Sequence, residues 1–262
     1  MPKPMKVSDW KRYPRIKKEL LCPHGIGHGG IHGCDGCCDD PSFREAWKKI
    51  FGEEVMKEYH KIQSLYKRDE KGKFIIGSWS MPELEYLKNN LWEFTEKVDG
   101  TNIRVMFDGD NVTFGGKTDN AQIPAYLVTA LNNQFMTLPK RQIFKEKFPD
   151  GVCLYGEGYG AKIQKGGGNY RPDQGFVLFD VLVGDWWLKR EDVEDTAKAL
   201  GIDVVPVIKI GTLYEAEADC KKGFKSTWGD FEAEGYVLRP LTPLFGRNGK
   251  RVITKVKCKD FL

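Results

Sequence analysis

Long hydrophobic runs are missing from this sequence. Within 262 residues no apolar stretch approaches the roughly 20 residues that a membrane-spanning helix requires, and the N-terminus lacks the apolar core of a signal peptide. A soluble, cytoplasmic chain with no membrane partner is therefore expected. No internal period appears, which excludes solenoid and propeller folds. A large excess of one charge is also missing, because 41 Lys and Arg against 37 Asp and Glu leave only +4. A mixed solvated surface gives that value as readily as a nucleic-acid-binding one. Local basic runs say more: residues 11–18 and 247–259 are both suited to tracking a phosphate backbone, the first as a basic arm.

What is present centres on Glu96-Lys97-Val98-Asp99-Gly100-Thr101-Asn102. Leu91 to Thr95 has strand character before it, and Ile103 to Phe107 alternates after it, with Asp99-Gly100 as the turn between. Lys97 is thus placed at a strand rim. A lysine amine attacks phosphorus only when deprotonated, and its ordinary pKa is about 10.4, so a reactive lysine requires a site that disfavours the ammonium. Taken alone, the Lys-x-Asp-Gly tetrapeptide is satisfied by an ordinary hairpin with a solvated lysine.

Four later segments set it apart. Leu154-Tyr155-Gly156-Glu157-Gly158-Tyr159-Gly160 is a strand ending in a carboxylate among glycines, where a backbone or phosphate can approach closely. The apolar run Gly175 to Val183 is a buried strand with Phe179 available for stacking. Glu234 opens another strand, Gly235 to Pro240. Residues 252–257 alternate, so Lys255 and Lys257 share one strand face.

In this order and at these separations, the five segments resemble the motifs of the covalent nucleotidyltransferase superfamily, which comprises ATP-dependent DNA and RNA ligases and mRNA capping guanylyltransferases. The resemblance covers residues 94–261, and Gly100-Thr101-Asn102 after the lysine is most similar to the RNA ligase 2 branch. It implies an α+β, antiparallel-sheet nucleotidyltransferase domain (an ATP-grasp-like ligase adenylation domain) over residues 61–262, preceded by a Cys/His-rich N-terminal extension over residues 1–60. By the same resemblance, Lys97 forms a lysyl-AMP intermediate. Glu96 and Asn102 hold the adenine and ribose side of ATP, Glu157 contacts the ribose, Phe179 stacks on adenine, and Glu234 positions Mg²⁺ or Mn²⁺. Lys255 and Lys257 neutralise the triphosphate. The implied substrate is nucleic acid with 5′-phosphate and 3′-hydroxyl ends, RNA being favoured.

Two departures stand out. Where the family often carries an arginine after the first motif, this chain has Lys117, which keeps the charge and loses the planar fork. With Leu262 soon after Lys257, an OB-fold or helical C-terminal domain is not expected within this sequence, and a second subunit supplying that part is an expected partner. A minimal DNA ligase, a capping-type guanylyltransferase and an inactive nucleic-acid-binding module are the alternative readings.

Histidine is scarce and cysteine is not, with four and seven residues, and both are clustered. Cys22, His24, His28, His32, Cys34, Cys37 and Cys38 fall in one glycine-rich segment. In a reducing compartment such a cluster favours metal over disulfides. Cys34-x-x-Cys37 has the spacing of a zinc half-site, and Cys22 with a histidine such as His32 completes a tetrahedral structural Zn²⁺ set. Spacing does not select the histidine, and Cys38 is an alternative to Cys37. A loop with free thiols is the non-metal alternative.

Elsewhere, Ser42-Phe43-Arg44-Glu45 resembles a capping box opening a helix through about His60, with Trp47, Ile50, Phe51, Val55 and Tyr59 as its apolar stripe and His60 on its surface. Residues 124–133 and Arg190–Leu200 are predicted helices, the second stopped by Gly201, and residues 204–210 a strand. Residues 166–172 form a glycine-rich loop that either covers the nucleotide or simply connects. Trp79, Trp186 and Trp187 are expected to pack rather than to stack on bases.

Overall fold

Alternating apolar residues give most of the expected strands, and the strands sort into two large sheets and a separate two-stranded hairpin. The structure, a computed structural model, describes residues 57–262, which lie in a compact unit running Val55–Leu262. In chain order, β1 (Gln63–Ser64), β2 (Tyr66–Arg68) and β3 (Phe74–Trp79) precede helix α1 (Pro82–Leu87). Next come β4 (Trp92–Glu96), β5 (Thr101–Phe107), β6 (Val112–Gly115), α2 (Ala125–Phe135) and α3 (Leu138–Lys147). They are followed by β7 (Val152–Gly160), β8 (Gln174–Val183), β9 (Trp186–Trp187), α4 (Arg190–Leu200) and β10 (Asp203–Val204). The chain closes with β11 (Val207–Gly211), α5 (Leu213–Lys222), β12 (Gly235–Pro240) and β13 (Thr254–Lys257).

The first sheet has the order β1-β13-β12-β4-β11 and the second β10-β8-β7-β5-β6, with β9 added to β8. Pairing is antiparallel except between β1 and β13 and between β10 and β8. This is the mixed α+β, antiparallel-sheet architecture that the motif order implies. Among the described residues no helix is long and apolar enough to cross a membrane.

Each sheet buries one face under helices. On the second sheet, Ile103, Val105 and Phe107 alternate along β5 into a core with Leu127, Leu131 and Phe135 of α2 and Phe144 of α3. On the first, Phe94, Leu238 and Val256 meet Leu213 and Ala216 of α5 and Tyr66 of the β2-β3 hairpin. The period of two then sends the intervening residues to the opposite faces. Thr95, Val237 and Lys255 from the first sheet, and Asn102, Glu157 and Phe179 from the second, line one shared cleft.

Three local expectations are corrected. β4 and β5 do not pair as a hairpin; they belong to different sheets, so residues 97–100 cross between them. Residues 204–210 are not one strand. Pro206, which has no N–H to donate, separates β10 in the second sheet from β11 in the first, and its carbonyl accepts from Glu96 N at 3.1 Å. The helix expected through His60 does not reach it, since residues 57–60 belong to no helix or strand. There Tyr59 is drawn into the core by a hydrogen bond to buried Asp180. Residues 42–56, the basic arm at 11–18 and the proposed zinc ligands Cys22, His32, Cys34 and Cys37 lie outside the described residues.

Candidate active site

Lys97 stands where the chain leaves the first sheet for the second. Its backbone N–H still donates to Gly235 O at 2.9 Å, and three residues later Gly100 presses against β7. A Cβ on Gly100 would stand 2.3 Å from Gly158 O and 2.7 Å from Glu157 Cγ. The Asp-Gly pair is therefore explained by close backbone approach rather than by a hairpin turn.

The Lys97 side chain is 20% exposed, and Nζ donates to Glu234 Oε2 at 2.6 Å. The other oxygen of Glu234 takes Lys257 Nζ, also at 2.6 Å. One carboxylate thus joins the two lysines. Antiparallel register brings the remaining groups alongside: Asn102 lies opposite Glu157, and Val237 opposite Lys255. Directly opposed residues share a face. Glu96, Lys97, Asn102, Lys117, Glu157, Phe179 and Lys255 all line the same cavity of about 260 Å³. With Glu234 and Lys257 tied to Lys97, the structure brings together all nine side chains that the motifs single out.

The electrostatics are set by burial against neighbouring charge. Burial pushes the Lys97 ammonium down, but Glu234, Glu157 and Asp99 outweigh it and hold its pKa above the ordinary value. The expectation that the site disfavours the ammonium is thus reversed. Glu157 is pushed up to about 7, first by burial and then by Glu234 and Asp99, with Lys97 opposing. Lys255 is lowered by burial and by the like charges of Lys97, Lys257 and Lys117. The site therefore holds a carboxylate pushed toward its neutral form and a crowd of cations, which suits a ligand with both hydroxyls and phosphates.

Other groups in and around the cavity were not singled out by the motifs. Arg104, buried on β5, donates to Gly116 O at 2.9 Å and to Asp119 at 2.7 Å, and so fixes the turn that presents Lys117. Tyr59, His60, Val205 and Arg239 complete the cavity wall. His60 is held neutral, its pKa lowered to about 4 by burial and by Arg251; it is a cleft residue, not one on a helix surface. Alternation along β12 from Val237 already implied Arg239, whereas nothing in the sequence marked Tyr59 or His60. Glu96 lines the cleft too, but both of its carboxylate oxygens accept hydrogen bonds from Ser226 and Thr227. A second hollow of about 300 Å³, lined by Leu87, Leu91, Pro240, Leu241 and Leu244 among others, lies at the far end of β12 and holds no titratable side chain.

Among the described residues no group of three or more His, Cys, Asp or Glu is arranged to hold a metal ion. Glu234 and the raised Glu157 fit a hard divalent cation that takes the rest of its coordination from water and substrate phosphates, as Mg²⁺ does.

The profile of the family described as RNA ligase matches residues 90–257. Among solved structures, the chain is similar to an RNA ligase of Naegleria gruberi. One is a lysine-to-alanine mutant with ATP and Mn, at a TM-score of 0.53 and 21% identity over 82% of this chain and 66% of that one. Another is the same ligase with pyrophosphate, at 0.53 and 21% over 80% and 64%. A further lysine mutant with ATP and Mn gives 0.53 and 19% over 95% and 69%. The first two of these matches span 66% and 64% of the Naegleria chain, and at this identity the likeness is one of fold.

Proposed function

The chain belongs to the RNA ligase family, and from that premise we propose that it is an ATP-dependent RNA ligase working through AMP bound covalently to Lys97. AMP then passes to an RNA 5′-phosphate, and a 3′-hydroxyl displaces it to join the ends. The observation that carries this reading is the ion-paired Lys97 at the sheet crossing, in one cavity with Glu157, Lys117 and Lys255.

In the first step a bond forms between Nζ and the α-phosphorus while the bond from that phosphorus to the pyrophosphate oxygen breaks. Nζ must first lose a proton, and Glu234 Oε2 at 2.6 Å is an acceptor within reach. Lys117, Lys255 and Lys257 offer positive charge to the phosphate oxygens, on which negative charge develops. Phe179, Ile62, Val205 and Val237 give the same cavity apolar surface suited to a base. Asn102 and Glu157, opposed in register, suit ribose hydroxyls. Mg²⁺ or Mn²⁺, held by Glu234 with Glu157 nearby, would supply charge neutralisation at the phosphates.

Joining, RNA preference and any need for a second subunit belong to the proposal as well. They are tested with a panel of nicked duplexes and single strands varying the sugar at the junction, each supplied with ATP and Mg²⁺. RNA 5′-ends carrying AMP, and joined RNA, are expected. Adenylylated protein that never charges any 5′-phosphate would overturn the ligase step while leaving the lysine step intact. Structural zinc at Cys22, His32, Cys34 and Cys37 is tested separately by metal analysis of the purified chain, where about one equivalent is expected for one tetrahedral site.

A further inference from the structure

We infer that Tyr170 and the Ser226-Thr227 pair are positioning residues that pin the Lys97 loop from two sides. The inference rests on the lysine-adenylylation reading above.

Glu96 directly precedes Lys97 and is 1% exposed. Its carboxylate accepts from Ser226 Oγ, from Thr227 N at 2.9 Å and from Thr227 Oγ1 at 2.6 Å. A buried carboxylate with two hydroxyl donors and an amide donor is fully satisfied by one loop, so it is a structural anchor. On the other side of Lys97, the Asp99 N–H donates to the Tyr170 hydroxyl at 3.2 Å. The residue before the lysine and the one two positions after it are therefore each held by a separate loop.

The two loops brace each other. Tyr170 follows the 3₁₀ turn Gly167–Asn169, and its ring meets Phe231 edge-on at 4.8 Å. Phe231 in turn shapes the other loop, because its carbonyl accepts from Ser226 N at 2.8 Å. Ser226 Oγ also receives Trp228 N at 3.1 Å. Tyr170 is pushed up to about 12, mainly by burial, so its hydroxyl stays neutral and serves as a fixed acceptor. Such a clamp has a clear use. An amine must meet the α-phosphorus in line with the leaving oxygen, and a displacement of about 1 Å can cost about a hundredfold in rate. Lys97 itself is tied through Glu234, and that tie must loosen for the amine to attack, so the loop needs restraints independent of the side chain.

The test is single-turnover adenylylation of Lys97 in the full chain, with Thr227→Val, Ser226→Ala, Tyr170→Phe and Thr227→Ser compared with the wild type. Thr227→Val and Tyr170→Phe are expected to lower the maximal rate about tenfold or more while leaving the ATP KM within about twofold. Thr227→Ser, which restores the hydroxyl, should recover the rate. The double variant should lose less than the product of the single losses, since both act on one loop. Tyr170→Phe keeps the ring against Phe231, so it carries the test if Thr227→Val fails to fold. Maximal rates within twofold of wild type, or losses that appear wholly in KM, would overturn the clamp. A wild type that forms no adduct at all would instead count against the ligase reading.

Discussion

At the scale of single residues, the site is governed by burial set against neighbouring charge. Glu157 keeps its proton to about pH 7 in the folded chain, against an ordinary value of 4.5. Between these values the folded protein binds more protons than the unfolded one, so the stability of the ligand-free protein falls as pH rises through that interval and levels off above it. Glu157→Gln should remove this slope, as thermal melts on either side of the interval will show. Lys97, conversely, is held protonated, so its free-amine fraction at neutral pH is small and grows about tenfold per pH unit. Single-turnover adenylylation should climb with pH, and Glu234→Gln, which removes the paired charge, should shift the climb to lower pH while slowing the reaction. An unshifted profile would contradict the pairing. That Lys97, Glu157 and Glu234 belong near one another was legible through the resemblance of their segments to the nucleotidyltransferase motifs, and the structure places them around one cavity. The sign of the Lys97 shift was not legible, because Glu234 lies 137 residues away and spacing says nothing of a 2.6 Å contact.

At the scale of elements, periodicity served well wherever one face is buried. β5, β7, β8 and β13 fall where alternation or apolar runs put them, and α4 ends at Gly201, whose φ of 54° suits glycine. Connections were less legible. A strand, a turn and a strand look the same in sequence whether the strands pair with each other or enter different sheets, so the crossing at residues 97–100 passed for a hairpin. The split at Pro206 was signalled by the proline, but the change of sheet depends on partners far away in the chain. The crossing makes Gly100 the point of close backbone approach between two elements. Gly100→Ala would drive a Cβ into Gly158 O and Glu157 Cγ, so it should displace the Lys97 loop and cut the adenylylation rate by about a hundredfold. Kinetics alongside circular dichroism will show whether the sheets remain intact while the rate falls.

At the scale of the whole molecule, the sheets are tied together by a buried ionic cluster that no motif announced. Asp180 on β8 accepts from Arg239 on β12 at 3.0 Å, from Arg251 at 2.9 Å and from Tyr59, and Arg251 also lies 3.6 Å over the Trp187 ring. Burial raises the Asp180 pKa, but the two arginines outweigh it and hold the carboxyl at about 2. Its contribution is therefore present above the ordinary value and is lost as pH falls from about 3.8 to about 2. Asp180→Asn leaves two buried guanidinium groups without their counter-charge and should cost about 3–5 kcal/mol, read as a lower urea midpoint at neutral pH. This cluster, like the Arg104 anchor, joins residues whose partners are distant in sequence, so composition and spacing could not reveal it. The proposed function places one chemical event, adenylylation of Lys97, at the sheet crossing, and the most direct measurement of it is intact-protein mass spectrometry with peptide mapping after incubation with ATP and Mg²⁺. A gain of one AMP located on Lys97, and absent from Lys97→Ala, is the expected result. No added mass with any common triphosphate, or an adduct that persists in Lys97→Ala, would contradict it.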